Sequence, residues 1–134
     1  MSGHPLRSHE LARGIAAGEF SAVEVLEQSM SCIAATDSRV NAFTSKCYAR
    51  ARAEAAAIDM RRARGEVLPP LAGVPYAVKN LFDIEGEVTL AGSKINRSHT
   101  PAVADAVLVQ RMQAAGAVLV GALNMDEYAY GFTT

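Results

Sequence analysis

The sequence has few of the residues that would mark a small protein as a disulfide scaffold or a metal protein. Of its 134 residues, none is tryptophan, two are cysteine and three are histidine. Cys32 and Cys47 are not part of a C-x-x-C pattern, and no histidines are spaced like metal ligands. We therefore predict no metal site, and we expect both cysteines to be reduced thiols in the core.

An excess of charge of one sign and long hydrophobic runs are also missing. The sequence has thirteen Lys and Arg residues and fourteen Asp and Glu residues, so its net charge is -1 and no overall positive field attracts nucleic acid. No run approaches the roughly 18 apolar residues of a membrane span, and residues 1–7 lack an apolar signal segment. With 50% hydrophobic and 20% charged residues, we predict a cytoplasmic globular protein without direct nucleic-acid or membrane contacts.

Helix signals dominate the first half of the chain. Ser8 is placed to cap a short helix that Gly18 ends. Ser21 and Glu24 fit a capping box, which predicts a second helix with an apolar stripe as far as about residue 36. A third helix, rich in alanine and arginine, is predicted over residues 48–64.

Short apolar runs and glycine turns follow once Pro69 and Pro70 have interrupted regular structure. Asp105 is expected to cap a helix whose inner face includes Val107 or Leu108. Strands are predicted over residues 73–78, 86–90 and 117–121, with an earlier extended segment at residues 40–44.

The order helix, glycine, apolar strand is typical of an α/β layer. We predict the fold class α/β, in which a helical region, residues 1–66, leads into the first strands of a mixed sheet covered by helices, residues 71–134. Two strong buried-strand candidates cannot form a two-faced sheet by themselves. We therefore expect the chain to be the truncated, N-terminal part of a larger domain.

Lys79 is the residue with the most chemical interest, because it closes the almost uncharged run over residues 71–80. A lysine in that position is either a solvated strand end, which is the common case, or a buried base. Apolar surroundings disfavour the ammonium form, and a neutral lysine amine can accept a proton.

Five sequence blocks follow one another in the second half of the chain: residues 71–80 (LAGVPYAVKN), 89–93 (TLAGS), 105–109 (DAVLV), 114–121 (AAGAVLVG) and 124–129 (NMDEYA). In this order they resemble the amidase signature family. Residues 80–86 and 124–134 are most similar to the 1-carboxybiuret hydrolase branch, which is related to the A subunits of tRNA-dependent Asp/Glu amidotransferases.

This resemblance implies an amidase that hydrolyses the C–N bond of a small amide or ureido compound without a cofactor. Lys79 would be the general base of a Ser-cisSer-Lys triad, in which a deprotonated serine attacks the carbonyl. Met125, Asp126 and Tyr128 would lie near the substrate cleft. Core packing for Met125 and Tyr128, and helix capping for Asp126, are equally compatible with their chemistry.

Two further expectations concern serine and asparagine. The family's two triad serines belong to a glycine- and serine-rich segment that this sequence lacks, so we predict that the chain alone is inactive. Ser93 is expected to have a structural role in a glycine turn. Asn80 replaces the aspartate that many relatives have after the lysine, which removes one negative neighbour.

Two alternatives remain open. One is the glutaminase A subunit of a tRNA-dependent amidotransferase, which works with B and C subunits. The other is a non-catalytic interaction module, in which the apolar stripe of residues 21–36 docks a small helical protein similar to a C subunit. The competing interpretation, which we favour, is that this stripe packs on the missing half of its own protein, because apolar helix faces usually serve the core. A homo-oligomer of the full-length protein is also possible.

Overall fold

The computed structural model describes residues 7–131, and predictions for residues 1–6 and 132–134 lie outside this range. Within it, the helices are α1 Ser8–Ala17, α2 Ala22–Val40, α3 Tyr48–Ala63 and α4 Val107–Ala114, and the strands are β1 Phe43–Lys46, β2 Pro75–Lys79 and β3 Val118–Leu123. Two short 3₁₀ helices cover Lys94–Ser98 and Glu127–Ala129.

The three strands form one mixed sheet in the order β1-β3-β2. The central strand β3 pairs antiparallel with β1 and parallel with β2. Its side chains are buried on both faces, as its uncharged sequence predicts. One face packs on α1, α2 and α3, and the other on α4 and the segment after β2. The predicted α/β class, with a mixed sheet covered by helices, is confirmed.

The apolar stripe of α2 packs within the chain. Val25, Leu26 and Met30 are buried in one cluster with Ala51 and Ala55 of α3. The small alanine side chains let the two helices approach closely, which gives the stripe a partner inside the described residues. The structure therefore contradicts the alternative in which this stripe docks a partner protein and supports packing inside the protein, although the stripe packs on α3 and not on a part of the protein outside these residues.

Local capping chemistry explains where the first two helices begin and end. The predicted box at Ser21 is present: its Oγ accepts from Glu24 N at 3.0 Å, and Glu24 accepts from Ser21 N at 2.7 Å. Gly18 ends α1 with φ +78°, as predicted. Ser8, however, is not the cap, because it is already the first helical residue; Arg7 is the cap residue, and its N–H donates to the Glu10 carboxylate at 2.6 Å.

Three other features differ from the sequence prediction. Helix α2 continues to Val40, so the predicted extended segment at residues 40–44 begins later, at Phe43. Residues 86–90 form a turn followed by an irregular segment instead of a strand, and Leu90 N donates to the Asn80 side chain and not to a neighbouring strand. Cys32 is exposed, and only Cys47 is a buried thiol.

Helix α4 also begins differently, because Asp105 has another partner. Ala106 is the cap residue, and the Asp105 carboxylate forms a bidentate ion pair with Arg50 at 2.8 and 2.7 Å. The inner side of α4 is Val109, which is fully buried, whereas Val107 and Leu108 are exposed. No helix within residues 7–131 is both long and apolar enough to cross a bilayer.

The ion pair of Arg50 connects three elements. Its Nε also contacts Glu54 at 2.7 Å, and the second Glu54 oxygen accepts from Leu119 N of β3 at 2.9 Å. The guanidinium holds the pKa of Asp105 below its usual range. Because the carboxylate is favoured in the folded chain, this stabilisation is present above about pH 4 and is lost as the pH falls through the lowered pKa.

We expect Asp105→Ala to lower the free energy of unfolding by about 2–3 kcal/mol at pH 7, because the mostly buried Arg50 loses its bidentate partner. Urea denaturation at pH 7 and at pH 3 measures the effect, which should shrink at the lower pH. Glu19→Ala, which removes an exposed carboxylate elsewhere, is the control. Equal losses for both variants would contradict this assignment.

Candidate active site

Lys79 is the last residue of β2, opposite Leu123 of β3. Its neighbours Val78 and Asn80 are 7% and 4% exposed, but its own side chain is 45% exposed and points to the Asp126 carboxylate, with 3.4 Å between Nζ and Oδ1. The amine is thus half exposed within the described residues, and its burial in the whole enzyme stays a prediction. The uncharged residues of β2 extend as far as the buried Val78. The side chain of Lys79, the last residue of the strand, is exposed.

Asn80 connects the end of β2 to the loop that follows residue 89. Its side-chain Nδ2 donates to Thr44 Oγ1 at 2.6 Å, and its Oδ1 accepts from Leu90 N at 2.7 Å. The backbone oxygen of Asn80 accepts from Ala91 N at 2.8 Å. Because the amide both donates and accepts, a carboxylate at this position could not donate to Thr44 in the same way.

The loop of residues 90–93 packs directly on the segment that carries Asp126. Gly92 has φ +71°, and a Cβ added to it would come within 2.7 Å of the carbonyl oxygen of Asp126. The buried Ser93 donates from Oγ to Glu127 Oε1 at 2.6 Å, and Tyr128 N donates to Ala91 O at 2.8 Å. These contacts fix the backbone of Asp126 beside the end of β2.

The three residues predicted near a substrate have different surroundings. Met125 is 4% exposed and packs in the interior. Asp126 pairs with Lys79, and its side chain does not cap the following 3₁₀ helix. Tyr128 is 53% exposed, and its hydroxyl lies 3.3 Å from Asn96 Oδ1. The structure thus brings Lys79 and Asp126 together, and the roles of all four side chains toward a substrate stay predictions.

The sequence analysis missed the contributions of Asn96 and Glu127. Asn96 is 6% exposed and donates from Nδ2 to Leu90 O at 2.9 Å, in addition to its contact with Tyr128. Glu127 accepts from Ser93, 34 positions earlier in the chain. No local pattern indicates such contacts. Ser93 itself has the expected structural role, although its partner is this distant carboxylate instead of the nearby backbone.

The arrangement offers groups for proton chemistry. No three His, Cys, Asp or Glu side chains lie close enough to hold a metal ion in the part of the chain from residue 7 to residue 131. The Lys79 side chain is a half-exposed primary amine beside a carboxylate that is 14% exposed. An amine at the end of a strand, held by buried polar residues around it, can exchange a proton with a ligand that lies over the sheet edge.

Sequence comparison places this chain among amidases. The family profile described as Amidase matches residues 24–134. The chain is 68% identical over 129 residues to AtzE, the 1-carboxybiuret hydrolase subunit of Pseudomonas sp. strain ADP, and the match covers 96% of this chain and 28% of that protein. It is 50% identical over 122 residues to the A subunit of the glutamyl-tRNA(Gln) amidotransferase of Anaeromyxobacter dehalogenans, with 91% and 25% covered.

Solved structures agree with the sequence comparison. A structure of a vestigial protein complex of an s-triazine catabolic enzyme matches with a TM-score of 0.95 and 68% identity over 96% of this chain and 28% of that one. A bacterial aryl acylamidase of the amidase signature family matches with a TM-score of 0.85 and 30% identity, over 93% and 26%. The chain thus spans about a quarter of the length of its relatives. With its order of motifs and its fold, it belongs to the amidase signature family.

Proposed function

We propose that this chain is the lysine-bearing part of an amidase signature hydrolase that cleaves the C–N bond of a small ureido compound similar to carboxybiuret. The observation that carries this proposal is the high identity to a 1-carboxybiuret hydrolase over nearly the whole chain. Lys79 lies in a block of that similarity and presents its amine at the edge of the sheet.

In this mechanism Lys79 is the general base. Together with a serine in a cis peptide, it takes the proton of the nucleophilic serine, which attacks the carbonyl. The same proton passes to the leaving nitrogen as the C–N bond breaks, and water then hydrolyses the acyl-enzyme. Both serines come from outside this chain. Within this chain the Lys79 amine lies 3.4 Å from Asp126 Oδ1, so the serine of the cis peptide would have to lie within hydrogen-bond distance of the same amine.

A chimera provides the test of substrate. In it, this chain replaces the matching residues of the 1-carboxybiuret hydrolase AtzE, and ammonia release is followed with 1-carboxybiuret and with glutamine. The proposal predicts that the chimera releases ammonia from 1-carboxybiuret and little ammonia from glutamine. Release from glutamine alone would contradict the proposal. The unaltered hydrolase, assayed in parallel, shows that the assay and the substrate are sound.

The alternative is a glutaminase A subunit, and the identity to the A subunits of glutamyl-tRNA(Gln) amidotransferases favours it. In that case the rest of the enzyme would deliver ammonia to a B subunit that handles the tRNA, and a small C subunit would be a further partner. The natural full-length gene product would then need these subunits for full activity. Glutaminase activity that rises when B and C subunits are added would support this alternative.

A small helical partner similar to a C subunit remains compatible with the proposed hydrolase. The vestigial complex to which the chain is similar is described as a protein complex, so assembly with a partner is plausible. The apolar stripe of α2 is already buried, so a partner would have to use another surface. Co-purification of the full-length product with such a protein is the direct measurement.

The chain by itself is predicted to be inactive. No Gly-Ser-Ser-Gly cluster occurs in the sequence, so neither a nucleophile loop nor its oxyanion-hole amides can form from these residues. The 134-residue chain should release no ammonia above background from 1-carboxybiuret, whereas the chimera should. Turnover by the isolated chain would show that the nucleophile lies among its own residues and would overturn the triad assignment.

A further inference from the structure

A cleft of about 410 Å³ is lined in part by the loop of residues 90–93, which packs against Asp126. The volume is that of a site for a small molecule. Its walls come from the ends of β1 and β3, the loop of residues 90–93 and the 3₁₀ helix Lys94–Ser98. The polar side chains in these walls are Asn41, Thr44, Ser93, Lys94, Arg97 and Asn124, and none of the lining residues is acidic.

The two cations of the cleft project from the same side of one helix. A 3₁₀ helix has three residues per turn, so side chains at positions i and i+3 lie above one another. Lys94 and Arg97 have this spacing in the 3₁₀ helix Lys94–Ser98, and both line the cleft. The helix therefore places an ammonium and a guanidinium side by side at one wall.

Neither cation is neutralised by a carboxylate. Within residues 7–131, Lys94 and Arg97 form no ion pair. The two acids in the neighbouring segment are already bound elsewhere, Asp126 to Lys79 and Glu127 to Ser93. The cleft is therefore a concave surface with two unpaired positive charges.

The helix that carries the cations is firmly anchored. Asn96, between them in sequence, is buried and contacts both Leu90 O and the hydroxyl of Tyr128. Ser93, just before the helix, is buried and donates to Glu127. A ligand would meet side chains whose backbone is already in place, so that little ordering of the backbone would oppose binding.

We propose that this cleft binds the carboxylate of a small anionic ligand through Arg97 and Lys94. A guanidinium fork matches the two oxygens of a carboxylate, and a lysine adds a second charge-assisted hydrogen bond. A phosphate-binding loop would instead offer free backbone amides. Here the amides of Ala91 and Ser93 already donate to Asn80 O and Leu90 O, and the positive charge of the cleft is carried by the two side chains.

The site also bears on the proposed function, because residues of the loop 90–93 line the cleft and the same loop packs on Asp126, the partner of Lys79. If the substrate is a carboxylated ureide, this cleft would select its charged end. That statement about specificity rests on the proposed function. Binding of a carboxylate does not, because it can be measured without turnover.

The experiment is an NMR titration of the intact chain with malonate, with malonamide as the uncharged analogue and inorganic phosphate as the competing anion, at constant ionic strength. Malonate should shift the amide signals of Thr44, Lys94, Arg97 and Asn124 to saturation. Arg97→Met should weaken malonate binding about tenfold or more, because a charge-assisted hydrogen bond pair is lost. Malonamide should leave these signals unchanged.

Arg111→Met is the matched control, since it removes an exposed arginine of α4 that does not line the cleft. It should bind malonate like the unsubstituted chain, and unchanged spectra outside the cleft show that each variant is folded. Equal affinities for the two variants, or tighter binding of phosphate than of malonate, would overturn the proposal. An inactive chimera together with saturable malonate binding would overturn the proposed function but not this site.

Discussion

In the chimera, Lys79→Met is expected to lower kcat/KM for 1-carboxybiuret by about 10²–10⁴-fold, the usual contribution of a positioned general base. Methionine has a similar length and no charge, so the sheet edge keeps its shape while the proton acceptor is lost. Because β2 pairs with the buried strand β3 along its length, the substitution at its exposed end should cost little stability. Steady-state kinetics and a thermal melt of the same preparation separate the two effects.

Lys46→Met is the control for this substitution. Lys46 is another partly exposed lysine at the end of a strand, and it pairs with Asp37 at 2.9 Å, away from Asp126. Its loss should leave kcat/KM within a few-fold of the unsubstituted chimera. If both lysine variants retained activity, or if both lost it equally, Lys79 would have no special place in the reaction.

Gly92→Ala is expected to lower the free energy of unfolding of the intact chain by about 3 kcal/mol or more, because two separate penalties combine. The residue has φ +71°, where a Cβ is strained, and the added methyl group would meet the backbone of Met125 and Asp126 at 2.7–2.8 Å. A backbone neighbour cannot move aside like the end of a flexible side chain. Urea denaturation of both chains measures the loss.

Gly86→Ala separates the two penalties. Gly86 has φ +83°, but a Cβ there would have no atom within 4 Å. Gly86→Ala should therefore lower the free energy of unfolding only through backbone strain, by about 1 kcal/mol. A loss at Gly92 no larger than that at Gly86 would show that the loop and the Asp126 segment are not in close contact. In the chimera, only Gly92→Ala should also reduce activity, because Asp126 and the end of β2 would move apart.

The sequence predicts the parts of this fold that depend on local chemistry. The box at Ser21 and Glu24 needs only residues three positions apart, and the stop at Gly18 needs only a backbone that accepts positive φ. The buried strand β3 follows from a run of apolar residues. In each case the evidence lies within one turn or one strand.

The errors arise where a distant residue takes a polar group. Asp105 has the right chemistry for a helix cap, but Arg50, 55 positions earlier, forms a stronger bidentate pair with it. Residues 86–90 have the composition of a strand, but the Asn80 side chain takes the N–H of Leu90. Such competition is decided in three dimensions and leaves no periodic signal in the sequence.

The candidate site shows the same division. Lys79 can be picked out by its motif and by the uncharged run before it. How exposed its side chain is depends on which other parts of the chain pack over the end of β2, and the sequence does not show this. The sequence predicts Asp126 near a substrate, and its partner in the structure is the lysine itself. Arg97 and Lys94 have no signal in the sequence, because their common direction depends on a 3₁₀ helix that periodicity does not predict.

The central claim is that Lys79 takes the proton that activates the nucleophile. The rate at which the acyl-enzyme forms, measured by rapid quench and intact-protein mass spectrometry in the chimera with and without Lys79→Met, tests this step alone. We predict that the adduct accumulates in the unsubstituted chimera within one turnover and does not form on that timescale in the variant. An adduct that forms equally fast in both would contradict the account.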